Sequence, residues 1–235
     1  MFINIADPRV LAIPIQESHE ILIDLKDQSI LQFGPPPECE ETKDCYTKIR
    51  KTIYEKLCKA QENLPHGWKF RIYEGYRSLE VQEILFKWIS AKIDRENPGL
   101  NQKDRFEKIT QLVSPLKTLD GKINIPVHNT GAAVDLEILD RDGNLVDLGM
   151  AVKDWILLDP QYSQTHSPLV STQAQTNRQI LLDVMTEQGF VNYPSEFWHF
   201  SYGDRYWAYL TGNNVARYGS ADSAQQSQRR LLHLP

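Results

Sequence analysis

The sequence has no long run of apolar residues and no strong excess of either charge. Among its 235 residues, 26 are basic and 31 are acidic, which gives a net charge of −5. A membrane-spanning helix needs roughly 20 consecutive apolar residues, and a nucleic-acid-binding chain usually carries a basic surface. The N-terminus also lacks the basic region and apolar stretch of a secretory signal. The composition therefore predicts a cytoplasmic protein whose partner is neither a membrane nor a nucleic acid.

Cysteine is scarce, and several common catalytic motifs are missing. The three cysteines, Cys39, Cys45 and Cys58, are odd in number and too widely spaced for a cysteine-based zinc cluster, so we expect plain thiols. No His-Glu-x-x-His segment occurs, which excludes a thermolysin-type metal site. A Gly-x-Ser-x-Gly elbow and a phosphate-binding glycine-rich loop are also absent.

What is present predicts a single α+β domain: a small antiparallel sheet with flanking helices. With 41% hydrophobic residues, the chain is long enough for one sizeable core. Hydrophobic periodicity and turn residues predict an extended N-terminal arm, a sheet and three main helices. We place the domain at residues 1–219, with the arm at 1–37, and a polar, flexible tail at 220–235. The predicted helices lie at 42–62, from Ser78 to about 96, and at 176–188. The predicted strands lie at 68–73, 133–138, 190–193 and 198–202, with an irregular loop at 159–173.

The stretch 127–138 carries the first two candidate metal ligands. His128 and Asp135 are seven residues apart at the start of a strand-like run. Because side chains alternate along a strand, Val134 and Leu136 face the core and Asp135 faces the opposite side. The small residues 129–133 allow the backbone to bend so that both ends reach one ion.

The stretch 195–202 adds a third ligand and a candidate base. A catalytic zinc ion takes three protein ligands and keeps one position open for water, and His128, Asp135 and His199 supply such a set. Glu196 can then take a proton from that water, and Arg77, in the turn 74–78, can stabilise a negative oxygen. Each of these residues alone is more often structural; only the combination indicates a zinc hydrolase.

These motifs resemble those of a known peptidase superfamily. His128-x6-Asp135, Glu196-x-Trp198-His199 and the arginine turn around Arg77 are similar to the signature of the zinc D,D-peptidases of the VanX/VanY and hedgehog-like superfamily. The resemblance covers most of residues 5–210 and is closest to the VanX-type D-alanyl-D-alanine dipeptidases.

The resemblance implies a small α+β fold around one Zn²⁺ per chain and hydrolysis of the free dipeptide D-alanyl-D-alanine. It implies that His128, Asp135 and His199 bind the metal, that Glu196 is the catalytic base and acid, and that Arg77 stabilises the transition state. By the same resemblance, Asp154 holds the substrate ammonium group.

One departure and two alternative functions stay open at this point. Pro126 stands where the dipeptidases commonly have a serine that helps to bind the substrate carboxylate. The alternatives are a D,D-carboxypeptidase that acts on longer peptidoglycan peptides and a non-catalytic binding module stabilised by zinc. The sequence gives no indication of the oligomeric state.

Overall fold

The chain forms one α+β domain, as predicted, around a five-stranded sheet that is mixed rather than purely antiparallel. The computed structural model describes residues 2–222. Its strands are β1 Leu22–Asp24, β2 Gln32–Phe33, β3 Lys48–Arg50, β4 Lys69–Glu74, β5 Ala133–Leu139, β6 Val191–Tyr193 and β7 Glu196–Ser201. The central sheet has the order β2-β4-β5-β7-β6, and β1 pairs with β3 separately. Only the β2–β4 pair is parallel; every other strand pair of the described chain is antiparallel.

Six helices and four 3₁₀ turns surround the sheet in the described part of the chain. The helices are α1 Pro8–Leu11, α2 Lys51–Glu62, α3 Leu79–Glu96, α4 Gln102–Thr110, α5 Thr172–Glu187 and α6 Arg205–Leu210. The 3₁₀ turns are Leu25–Asp27, Glu40–Thr42, Val127–Thr130 and Val152–Asp154. Between residues 2 and 222, no helix is both long and apolar enough to cross a membrane.

The main core lies between the sheet and the helices α2 and α5. Leu57 of α2 and Leu181 of α5 are fully buried and belong to the same apolar cluster as Val134 and Leu136 of β5. Full burial of such side chains contributes roughly 1.5–3 kcal/mol each. The alternation predicted for β5 is therefore confirmed: its apolar side chains enter this core, and Asp135 is left to the other face of the sheet.

The helix predicted at 42–62 begins nine residues later than expected, at Lys51. Its N-terminal part instead forms turns and β3, which pairs with β1. Gly75 and Tyr76 donate backbone hydrogen bonds of 2.7 Å to the carbonyls of Tyr46 and Lys48. Carbonyls engaged in this way are not available to an α-helix, so tertiary contacts decide the conformation although the apolar spacing fits a helix.

Other predicted boundaries also need correction. The arm at 1–37 is not simply extended, since it contains α1 and supplies β2 to the central sheet. Helix α5 starts at Thr172 rather than 176 because Ser171 accepts a hydrogen bond from the Ala174 amide and caps it there. Of the predicted tail, residues 220–222 are described, and Ala221 is fully buried; residues 223–235 lie outside the described part of the chain.

Several local predictions are confirmed. Ser78 caps α3 by accepting a hydrogen bond from the Val81 amide. Gly189 follows α5 with a φ of +81°, the left-handed conformation that suits glycine after a helix. The three cysteines are free thiols. The predicted hairpin of β6 and β7 is present.

Candidate metal and catalytic site

Three neighbouring strands carry polar side chains in one row across the sheet. Glu74 of β4 is the pairing partner of Asp135 in β5, and Asp135 is also the partner of His199 in β7. Partners on neighbouring strands point to the same face, and an irregularity of β4 between Ile72 and Glu74 brings Glu74, rather than Tyr73, opposite Asp135. The sheet therefore sets the spacing of these groups.

His128 reaches the same place from the turn Val127–Thr130, whose four residues are all buried. The Nδ1 atom of its ring lies 2.8 Å from the carbonyl oxygen of Gly75. A carbonyl can only accept, so His128 carries its proton on Nδ1 and its Nε2 lone pair is free for a metal. That Nε2 atom lies 3.1 Å from His199 Nδ1 and 3.4 Å from an Asp135 oxygen.

The donor set formed by His128, Asp135 and His199 fits a metal ion. One ligand atom from each lies within 4.8 Å of the others, and all three residues are buried. Two ring nitrogens 3.1 Å apart need either a proton or a cation between them, and two imidazoles with a carboxylate are a ligand set that zinc accepts. The metal ligands predicted from the sequence are thus brought together.

Electrostatic interactions within this donor set are strong. Burial raises the pKa of Asp135, but the two histidines lower it by more, so that it lies below the ordinary range. Burial lowers the pKa of His199. For His128, the lowering by burial is outweighed by Asp135, and the pKa of the ring is raised. The carboxylate is therefore held in its charged, metal-binding form.

Arg77 is held at the edge of the donor set by two buried partners. Glu74 forms an ion pair with its guanidinium through two contacts, one of 2.9 Å to Nε. Gln82 of α3 accepts a hydrogen bond of 3.1 Å from Nη1 and donates one to the carbonyl of Ser114. The Nη2 atom lies 4.0 Å from Asp135. A fork of donors fixed in this way is suited to meet a developing negative charge.

Glu196 also lies beside the donor set, although a regular strand would not bring it there. Residues three apart on a strand face opposite sides, yet Glu196 Oε2 lies 3.9 Å from His199 Nδ1. The pairing of β6 with β7 shifts register between Asn192 and Tyr193, and this irregularity turns the carboxylate inward. Burial is the main cause that raises the pKa of Glu196 well above its usual value, and the charge of Asp135 is the second.

The three candidate metal ligands, Arg77 and Glu196 line one cavity, whose empty volume is about 530 Å³ including the space open to solvent. Asp154 is the exception among the predicted site residues: it is half-buried in the turn Val152–Asp154 and does not line the cavity, whereas its neighbour Trp155 does. Glu38 lines the cavity as well, and nothing in its local sequence indicated this.

The end of the described chain braces the turn that carries His128. Asp222 accepts a hydrogen bond from the Tyr76 hydroxyl and another, of 3.2 Å, from the side-chain amide of Asn129. Asn129 is fully buried and also donates to the carbonyl of Arg77. The turns that carry His128 and Arg77 are thus tied to each other and to residue 222.

Comparison with known proteins finds a matching family model and several similar proteins. The family model described as D-ala-D-ala dipeptidase matches residues 41–232. A D-alanyl-D-alanine dipeptidase of Synechocystis sp. is 28% identical over 219 residues, which cover 85% of this chain and 88% of that protein. The dipeptidase of Escherichia coli is 39% identical over 75 residues, 31% of this chain and 36% of its own.

Two further similarities extend the comparison. A D-alanyl-D-alanine dipeptidase of Enterococcus faecium is 26% identical over 63% of this chain and 69% of its own. The solved structure of the LdcB LD-carboxypeptidase is 16% identical, and the match covers 88% of this chain and 83% of that chain at a TM-score of 0.40. The match of the family model over most of the sequence is sufficient by itself: this chain belongs to the D-ala-D-ala dipeptidase family.

Proposed function

We propose that this protein is a zinc-dependent dipeptidase that hydrolyses D-alanyl-D-alanine to two molecules of D-alanine. One observation carries the proposal: the ligand atoms of His128, Asp135 and His199 converge in one cavity, with Glu196 and Arg77 each within about 4 Å of a member of that set. The family assignment and the names of the relatives support the choice of substrate.

In this proposal, His128 Nε2, one oxygen of Asp135 and His199 Nδ1 would hold the metal. When bound, zinc supplies a Lewis acid and lowers the pKa of a water molecule to roughly 7. A structural zinc site would use four protein ligands, and this group offers three.

The protein's own groups then move the proton and stabilise the charge. The water oxygen forms a bond to the peptide carbonyl carbon, and Glu196 takes the proton that the water gives up. As the carbon–nitrogen bond breaks, Glu196 passes that proton to the leaving amine. Arg77 faces the carbonyl oxygen, whose negative charge grows in the transition state, and Glu74 and Gln82 keep the guanidinium in place.

The test is D-alanine release by the purified, zinc-loaded protein. Free D-alanyl-D-alanine, L-alanyl-L-alanine and an N-acylated tripeptide ending in D-alanyl-D-alanine serve as substrates. Glu196→Ala provides the blank and should keep its zinc while losing turnover. Cleavage of the free D,D-dipeptide alone is expected.

Other outcomes would assign a different function. Cleavage of the acylated tripeptide would mean a carboxypeptidase. Cleavage of no substrate with zinc bound would mean a binding module.

A further inference from the structure

Glu38 places in the wall of the candidate active-site cavity a carboxylate oxygen that has no partner between residues 2 and 222. Its Oε1 accepts hydrogen bonds from the Tyr73 hydroxyl at 3.0 Å and from the Trp155 indole at 2.8 Å. Its Oε2 is buried and has no hydrogen-bond partner among the described residues. A buried carboxylate oxygen without a donor is unfavourable, so the site is built for a donor that arrives with a ligand.

The backbone holds Glu38 in a conformation that residues with side chains seldom adopt. Its φ is +46°, and the Cys39 amide donates a hydrogen bond of 2.6 Å to the Pro37 carbonyl across it. This is a γ-turn of the rare, strained kind. The Thr42 hydroxyl fixes both ends of the turn, with 2.9 Å to the Pro37 carbonyl and 2.8 Å to that of Cys39. Strain kept in place by such bonds is characteristic of functional positions.

The charges around Glu38 leave it in need of a cation. Burial, and after it the charge of Glu74, raise the pKa of Glu38, while Arg77, Trp155 and Tyr73 lower it, and the net result is a pKa of about 7. The cation nearby, Arg77, already pairs with Glu74 and does not contact Glu38 through any hydrogen bond in the described chain. A ligand that carries its own positive charge and several N–H donors would satisfy Oε2.

The group expected to hold the substrate's amino end, Asp154, lies outside the cavity lining. The neighbouring Trp155 enters the lining instead and donates its indole hydrogen to Glu38. The segment around Asp154 therefore contributes to this part of the cavity by orienting Glu38.

We propose that Glu38 binds the free α-ammonium group of the dipeptide substrate. This inference rests on the proposed function. It gives a physical reason for a preference for dipeptides: an acylated amino group is neutral and leaves the buried Oε2 charge without compensation, whereas an ammonium group donates to it directly.

The experiment measures binding and turnover separately. Binding of D-alanyl-D-alanine and of N-acetyl-D-alanyl-D-alanine is measured by calorimetry on the zinc-loaded, full-length Glu196→Gln protein, with and without Glu38→Gln. We expect Glu38→Gln to weaken binding of the free dipeptide by about 10- to 100-fold and to leave binding of the acetylated one unchanged. In the active protein, the same substitution should raise KM for the free dipeptide more than it lowers kcat.

Two matched variants serve as controls. Glu40→Gln removes an exposed carboxylate from the same segment and should leave both affinities unchanged. Glu38→Asp keeps the charge and should keep part of the preference for the free dipeptide. The zinc content of every variant is measured, so that damage to the metal site is seen directly.

Several results would overturn the inference. The first two are an equal loss of affinity for the free and the acetylated dipeptide in Glu38→Gln, and loss of zinc from that variant. The other two are a larger selective loss of affinity for the free dipeptide in Asp154→Asn, and failure of the Glu196→Gln protein to bind the free dipeptide. If binding depends on Glu38 but the wild-type protein releases no D-alanine, the proposed function is refuted and the inference about Glu38 stands.

Discussion

Glu38 should make the stability of the protein depend on pH in a way that a single substitution removes. In the folded protein, burial raises the pKa of Glu38 from 4.5 to about 7. The folded state therefore binds a proton more tightly than the unfolded state does. The contribution of protonated Glu38 to the free energy of unfolding is fully present below about pH 4.5 and is lost as the pH rises through about 7.

The size of the effect follows from the shift in pKa. A shift of one unit corresponds to about 1.4 kcal/mol, so charging Glu38 costs the folded state up to about 3 kcal/mol. Glutamine has the shape of the protonated acid and does not titrate. Glu38→Gln should therefore match the wild type in acid and exceed its unfolding free energy by about 2–3 kcal/mol at alkaline pH.

The measurement is urea-induced unfolding of the metal-free wild-type and Glu38→Gln proteins at about pH 5 and about pH 8.5. The unfolding free energy of Glu38→Gln minus that of the wild type should be larger by about 2.5 kcal/mol at the higher pH. Glu40→Gln, which alters an exposed carboxylate nearby, should give the same difference at both pH values. A difference for Glu38→Gln that does not depend on pH would refute the reasoning, because it would mean that Glu38 does not titrate differently in the two states.

Further substitutions test the rest of the site. His199→Ala should lose zinc together with activity, and a variant with full zinc by metal analysis would contradict its role as a ligand. Gly75→Ala places a methyl group 2.6 Å from the Ile49 side chain and from a backbone oxygen, so it should lower the free energy of unfolding by about 1–3 kcal/mol. Because the Gly75 carbonyl accepts a hydrogen bond from His128, the same substitution should also lower zinc affinity by about 10- to 100-fold. Gly34→Ala, with no contact under 3.8 Å, is its control, and equal effects would contradict the packing argument. Glu74→Gln breaks a buried ion pair and should cost about 3–5 kcal/mol of stability and lower kcat with zinc retained; an unchanged kcat would show that Arg77 does not need this partner.

The positions of His128 and Asp135 among the candidate metal donors could be predicted because they depend on short sequence patterns. His128 and Asp135 flank a turn of small residues, and alternation along β5 separates Asp135 from the core side chains Val134 and Leu136. The meeting of Asp135 with His199 depends on strand pairing across 64 residues. The sequence indicated it through the combination of residue types in the two stretches and through the resemblance to a known family, not through any pattern of strand pairing.

The remaining parts of the site depend on contacts that no local pattern encodes. Glu38 enters the cavity because a strained turn holds it there, and Gln82 reaches Arg77 from a helix whose period suggested only an apolar stripe. The helix predicted from residue 42 failed for the same reason, since its carbonyls at 46 and 48 bond to the turn that precedes Arg77.

The contacts that assemble the site also determine when it can form during folding. His128 meets Gly75 across 53 residues and His199 across 71, and Asn129 meets Asp222 across 93. Loops of this length must close before any of these contacts exists, and non-local contacts of this kind slow folding. The complete donor set is thus a property of the fully folded chain, and even with zinc in excess only molecules that have completed folding can offer all three donors to one ion.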